Sequence, residues 1–318
     1  MTIDSCRVGR AAGPPASVDR PPPGTGPASP SSRLPMAEPT ADHPDQATPM
    51  HPRTGFVTRL ALSLEDQFAL AADAGFDYVE VLTDGRRAPD ALAGDRTEVV
   101  DELDRHDLDL VVHLPFPTDI GSPYEAVRAG AVETQTQAIE TAAALGAEKA
   151  VLHPESSAWE AAWDDEELRP YVDQSVADLA AVGDSHGVEV CAENLFESVY
   201  TIETIDGLLD RTDVSMTLDT GHARVTGYDE TETAAFVSEH ADRVSHVHLN
   251  DTRRPSDEHL PFGAGTIDFE RLFAAFPADW KGTLSVEAGT NSLRYLRESK
   301  AALDEQLATV AAHGGTAD

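Results

Sequence analysis

Apolar and polar positions change period repeatedly along this chain. Short apolar runs near residues 56–62, 77–82, 109–114, 149–153, 188–193, 214–219, 243–250 and 282–288 read as buried strands. Longer stretches between them carry apolar residues three and four apart, the period of an amphipathic helix. Val127, Ala131, Ala138, Ala142 and Leu145 form one such stripe, and Leu293, Leu296, Leu303, Leu307 and Val310 form another. Ser63-Leu-Glu-Asp66 is a capping-box-like helix start, and Gly75 and Gly146 are placed to end helices. Strand–helix units repeated eight times without a second composition break predict an α/β protein with a single closed (β/α)8 barrel over residues 54–313.

Nearly every predicted strand ends in an acid or a histidine. Glu80, His113, His153, Glu193, Asp219, His248 and Glu287 close successive runs. Strand alternation puts Glu193 on the face of Cys191 and opposite Val188, Val190 and Ala192. Leu218 likewise opposes Asp219, Val247 opposes His248, and Val286 opposes Glu287. The apolar set then faces the helices and the polar set the barrel interior. Such groups converge only if parallel strands share one C-terminal rim, where barrels of this kind carry their catalytic groups. Two carboxylates about 4 Å apart repel by about 4 kcal/mol at an effective dielectric of about 20. A divalent cation removes that cost.

Composition adds less. Residues 1–53 are rich in Pro, Gly, Ser and Ala and read as a disordered extension, or as upstream of a true start at Met36 or Met50. No apolar stretch follows Arg7 and Arg10 as a secretory signal requires, and no run is long enough to span a bilayer, so a soluble cytoplasmic protein is expected. Cys6 and Cys191 cannot build a disulfide framework. The formal charge is −34, from 57 acidic and 23 basic residues, and Lys149, Lys281 and Lys300 are the only lysines. This dispersed acidity suggests a halophile-like surface and disfavours nucleic acid as a partner.

The order of the motifs carries a resemblance. VVHLPF with His113, VLHPE with His153, CAEN with Glu193, LDTGHA with Asp219 and His222, HVHLNDT with His248, DEHLPFGAGTID with Asp257 and His259, and SVEAG with Glu287 follow one another, one per strand or its following loop. The chain thereby resembles the xylose isomerase-like TIM barrel superfamily, which holds sugar isomerases and epimerases and the endonuclease IV-type apurinic endonucleases. The sugar branch implies one divalent ion (Mn, Co, Mg or Zn) on Glu193, Asp219, His248 and Glu287. In that branch Glu193 and Glu287 double as acid and base through an enediolate. It also implies substrate contacts from His222 and Arg254, with His113 and His153 as further candidates to bind substrate. The endonuclease branch implies up to three zinc ions, with His113, His153, His222, Asp257 and His259 as additional ligands.

The surroundings favour the sugar branch. ENLFES stands where endonuclease IV proteins have an ENTAG-type turn, HPES replaces an HPGS-like turn, and no tyrosine-bearing wedge segment follows His113. The expected function is a metal-dependent sugar or sugar-phosphate isomerase/epimerase acting on a small polyol, with homo-oligomers open. A zinc phosphodiesterase for abasic DNA and a non-catalytic metabolite-binding barrel stand as alternatives. Glu80 shapes the pocket or bonds backbone amides, and His246 is a satisfied core histidine one layer below His248. Trp159 and Trp163 form either an apolar wall for a sugar ring or ordinary helix packing. Gly263 and Gly265 lack the spacing of a phosphate-cradling loop, so no nucleotide cofactor is expected.

Overall fold

A computed structural model of the chain describes residues 51–116 and 118–314. The N-terminal extension up to Met50, with Met36 and Cys6, lies outside the described residues. Eight parallel strands run in the order β1-β8-β7-β6-β5-β4-β3-β2. They are β1 Arg53–Phe56, β2 Tyr78–Leu82, β3 Asp109–His113, β4 Lys149–Leu152, β5 Glu189–Glu193, β6 Ser215–Asp219, β7 Val244–Leu249 and β8 Thr283–Val286. The β1–β2 seam closes by a Val57–Glu80 bridge and by the Thr58 amide donating to the Glu80 carbonyl at 2.8 Å. Helices fill each crossover, as parallel strands require.

The alternation read from the sequence sorts the two faces. Val79, Val81, Val112, Leu152, Val190, Leu218, Val247, Leu284 and Val286 are buried in one continuous core beneath the helices. Tyr78, Val111 and Val151 form a separate small cluster inside the barrel. Above and around that plug the interior turns polar, with Glu80, Glu193, Asp219, His246 and His248 each no more than 1% exposed.

Local signals mark the helix ends. Ser63 Oγ accepts the Asp66 amide N–H at 3.1 Å, and Gly75 and Gly146 close their helices at φ 81° and 85°. The stripe on Leu293–Gly314 holds, with Leu296 and Leu303 fully buried. Val127 departs from its stripe: it is 49% exposed on the first turn of Glu125–Leu145. The first strand lies earlier than expected, ending at Phe56 instead of spanning 56–62. The carbonyls of Arg59 and Leu62 are taken by side chains of Arg87 and Gln67, so they are not available to a ladder. Among the described residues no helix is long and apolar enough to cross a membrane.

Gly55 is required by close approach rather than by its backbone angle: a methyl group there would overlap the ring of Tyr78, which is fully buried and cannot step aside. Gly55→Ala should therefore destabilise the barrel by about 1–3 kcal/mol. A urea midpoint unchanged from wild type would show that the β1–β2 seam is looser than described.

Candidate metal centre

Four of the expected groups meet at the C-terminal rim. His248 Nδ1 lies 3.4 Å from Glu193 Oε2, 3.3 Å from Glu287 Oε2 and 4.0 Å from Asp219 Oδ2. Their positions follow from strand register. Asp219 pairs with His248, and Glu193 with Thr217 one pleat below Asp219. Asp219 is also the N-cap of the helix Thr220–Thr226, accepting the His222 amide N–H at 2.6 Å, which holds His222 on the first turn. Asn194 clamps the neighbouring strand: its Oδ1 accepts the Asp219 amide N–H at 2.9 Å and its Nδ2 donates to the Asp219 carbonyl at 3.1 Å.

The other expected ligands gather in two flanking groups. His113, His153 and Glu193 form one, and His222, Asp257 and His259 the other. His113 Nε2 and His153 Nε2 lie 3.8 and 3.4 Å from Glu193 Oε2. His113 Nδ1–H donates to the Leu114 carbonyl at 3.0 Å, which leaves the Nε2 lone pair facing Glu193, oriented to bind a cation. Asn250 sets the second group, donating to Asp257 Oδ1 at 2.7 Å and accepting the His259 amide N–H at 3.1 Å. His259 and Glu197, both at the mouth, hold left-handed backbone at φ 46° and 49°, a strain non-glycine residues rarely carry.

Glu80 acts from below. His248 Nε2–H donates to Glu80 Oε1 at 3.0 Å, which turns Nδ1 toward the acids. The other Glu80 oxygen accepts from His246 Nε2 at 3.0 Å and from Ser285 Oγ at 2.5 Å, and Tyr78 Oη bonds Ser285 Oγ at 2.9 Å. His246 is satisfied at its other nitrogen by Thr283 Oγ1 at 2.7 Å. It is the core histidine expected, and Glu80 bonds side chains rather than backbone amides.

Electrostatics set the carboxylates against imidazoles that they keep protonated. Burial pulls His222 and His259 down, but Asp219 and Glu193 raise the first to about 10, and Glu287 and Asp257 the second to about 9. Burial drives the His246 pKa down to about 4, against Glu80, so this ring is neutral. Burial also pulls His248 down, but Glu80, Glu287 and Glu193 outweigh it and hold the ring well above its usual value. Burial pushes Glu287 up, yet His248 and His259 outweigh it and keep the carboxylate far below its usual range. Asp219 is raised to about 8 by burial, with Glu287 and Glu193 adding to the effect.

The donor set fits a cation. Glu193 Oε2, His248 Nδ1 and Glu287 Oε2 are buried without a hydrogen-bond partner among the described residues. Buried polar atoms of this kind normally have one. Donors bound at about 2.1 Å stand about 3.0–3.4 Å apart at octahedral or tetrahedral angles, close to two of the separations here. A mixed carboxylate–imidazole set suits Mn, Co, Mg or Zn.

The rim opens into a cavity of about 500 Å3, a size suited to a small ligand. Its apolar wall is Phe116 and Phe196, with Val57, Leu82 and Leu195. The tryptophans take no part: Trp163 packs on the core and Trp159 is 75% exposed. Phe116 lies 5.4 Å from the His113 ring and Phe196 5.0 Å from the His222 ring, centroid to centroid. Each follows an expected strand-end ligand by three residues (HLPF, ENLF), a signal present in the sequence beside the motifs themselves. Arg254 is not brought into the cavity. Its side chain is 74% exposed and its nearest described carboxylate is Glu258 at 3.9 Å.

The family model described as Xylose isomerase-like TIM barrel matches residues 68–311. An uncharacterized protein of Methanocaldococcus jannaschii is 29% identical over 270 residues, covering 78% of this chain and 86% of that protein. A Listeria monocytogenes protein named Probable endonuclease 4 is 30% identical over 195 residues, covering 54% of this chain and 63% of that protein, less than two thirds of its length. The crystal structure of a D-tagatose 3-epimerase-like protein superposes with a TM-score of 0.70 at 26% identity, covering 81% of this chain and 98% of that one.

Two outcomes follow from the site. Glu80→Gln should weaken Mn2+ binding about 10–100-fold without altering the circular dichroism spectrum, because His248 loses the carboxylate that orients it. Unchanged affinity would remove Glu80 from the site. At pH 7 Asp219, with a pKa of about 8, and His248 carry protons that an incoming cation displaces. Affinity should therefore rise from pH 6 to pH 9 with net proton release. Calorimetry in two buffers of unlike ionisation heat reads that release directly, and its absence would mean the groups are not ligands.

Proposed function

The chain belongs to the xylose isomerase-like TIM barrel family, and from that premise we propose that it is a metal-dependent isomerase or epimerase of a sugar or sugar derivative. One observation carries the reading. Glu193 and Glu287, from β5 and β8, approach the same imidazole nitrogen at 3.4 and 3.3 Å at the base of a cavity sized for a small polyol. The likeness to the D-tagatose 3-epimerase-like structure supports it over nearly the whole of that chain.

Moving a proton between adjacent carbons of a hydroxy-ketone needs a base for one carbon and an acid for the other. Glu193 and Glu287 supply two carboxylates from separate strands. Each is held below its usual range by the imidazoles outweighing burial, so each is ionised at pH 7 and can take the first proton, and the carboxylate that takes it becomes the acid that returns it to the neighbouring carbon. Glu287, with a 14% exposed side chain, is the more accessible from the cavity, and Glu193, at 1%, the deeper. With Asp219 and His248 these glutamates would hold a divalent ion, whose chemistry is to polarise a carbonyl and stabilise the negative charge that proton removal leaves. His222, 8% exposed, and His153, 16% exposed, stand at the cavity as donors to substrate hydroxyls. Phe116 and Phe196 would exclude water from the reacting carbons.

One observation favours a second reading. The two flanking His/acid groups are separately clustered, each with ligand atoms within 4.8 Å, as three-ion phosphodiester hydrolysis would use them. The mouth weighs against it, because Arg59 is the one arginine or lysine among the described residues that line it, where a phosphodiester backbone needs several cations. Metal analysis separates one ion per chain from three, and nicking of a duplex with an abasic site would support hydrolysis.

For the favoured reading, ketoses incubated with the loaded protein in deuterium oxide should take up deuterium at the carbon next to the carbonyl. Glu287→Gln should lower that exchange by about 10²–10⁴-fold while the protein stays folded. Exchange at the wild-type rate in this variant would end the assignment of Glu287 as a proton-transfer group.

A further inference from the structure

Arg59 is the one arginine or lysine among the described residues that line the mouth. Its backbone is fixed from both sides. The amide N–H donates to Gln67 Oε1 at 2.6 Å, and the carbonyl accepts from Gln67 Nε2 and from Arg87 Nη2, both at 3.2 Å. Its guanidinium is left over. No described carboxylate comes within ion-pair distance of it, and its Nε is buried without an acceptor among the described residues.

Arg53 bonds Asp109 and Glu148, and Arg253 bonds Glu258, whereas Arg243 donates to backbone carbonyls alone and lies away from the cavity. A second guanidinium stands behind the first. Arg87 is 4% exposed and donates only to neutral oxygens: Thr58 Oγ1 at 3.0 Å, the Leu62 carbonyl at 2.6 Å and the Arg59 carbonyl. The segment 58–62 after β1 thus carries one guanidinium at the cavity, that of Arg59, and is held from behind by a second, that of Arg87, neither paired with a described acid.

We propose that Arg59 receives an anionic end of the substrate, so that the substrate is a polyol bearing a phosphate or a carboxylate and not a neutral sugar. Guanidinium binds either oxyanion through paired charge-assisted hydrogen bonds, and the Arg59 Nη groups have no acceptor among the described residues. Arg59 differs from the histidines of the same mouth in standing away from the carboxylates that those rings face. The inference rests on the sugar-processing reading and names the far end of the same substrate.

The test is calorimetric and needs no turnover. Metal-loaded wild type is titrated with fructose, fructose 6-phosphate and glucuronate, three probes that share hydroxyls and differ in charge. At least one anionic probe should bind about tenfold or more tighter than fructose, about 1.4 kcal/mol. Arg59→Gln should abolish that preference and leave fructose binding unchanged. The remote surface substitution Arg297→Gln, which removes one positive charge, should keep the preference. A preference for phosphate alone or for glucuronate alone identifies the anion. Equal affinities in wild type, no anion binding, a preference retained in Arg59→Gln, or an equal loss in Arg297→Gln would each overturn the proposal. Deuterium exchange dependent on Glu287 would survive all four results, so the two readings fail separately.

Discussion

One buried carboxylate sets the terms for the whole C-terminal end of this barrel. Glu193 is 1% exposed, and imidazoles of His113, His153, His222 and His248 lie within 3.8 Å of its oxygens. Removing a carboxylate from water costs several kcal/mol even after the surroundings relax. The rings meet that cost only if they carry protons or share a cation with it, and Oε2 still has no hydrogen-bond partner among the described residues. The structure around Glu193 follows from satisfying this charge. The strands that surround it must bring nitrogen donors to one height. Cys191, below Glu193 on the same face, is buried in the same interior.

A second buried carboxylate solves the same problem differently. Glu80 is fully satisfied, by His246, His248 and Ser285. Burial pushes its pKa up, and His248 and His246 outweigh that push and leave it well below its usual value. One carboxylate layer is therefore closed by hydrogen bonds and the layer above it is left open. His248 joins them, giving one nitrogen to each. The closed layer is what makes the open one stiff: His248 cannot rotate to satisfy Glu193 with Nε2 without abandoning Glu80. A site built this way holds its donors apart before any ligand arrives, the condition for preorganised electrostatics.

The periodic features of this design were legible in the sequence. Strand parity depends only on neighbours two residues apart, so the interior face of Glu193, Asp219 and His248 could be read off the alternation. Helix ends marked by Ser63, Gly75 and Gly146 depend on residues within one turn. Contacts made at long range were not legible. Nothing local at Glu80 says that its partner is His248, 168 positions away. Arg254 lies six residues beyond His248, as a substrate arm would, yet its side chain is 74% exposed and does not line the cavity. Trp159 and Trp163 were open between two roles for the same reason: loop direction is set by tertiary packing, here Trp163 against the core.

Charge at the mouth finally bears on which member of the family's range this chain resembles in chemistry. A polyanionic strand binds by neutralising many phosphates, each requiring its own cation at the surface. The cavity offers one guanidinium, four carboxylates outside the central set, two phenyl rings and the imidazoles of His113, His153, His222 and His259. Such a lining lacks the row of surface cations a strand needs, while the phenyl rings favour the C–H face of a compact polyol. The dispersed acidity of the outer surface is a separate matter, because surface charges beyond about 8–10 Å are screened by salt. Groups around the cavity lie within that distance of a bound molecule and partly out of water. Their signs, and not the net charge of −34, decide what can enter.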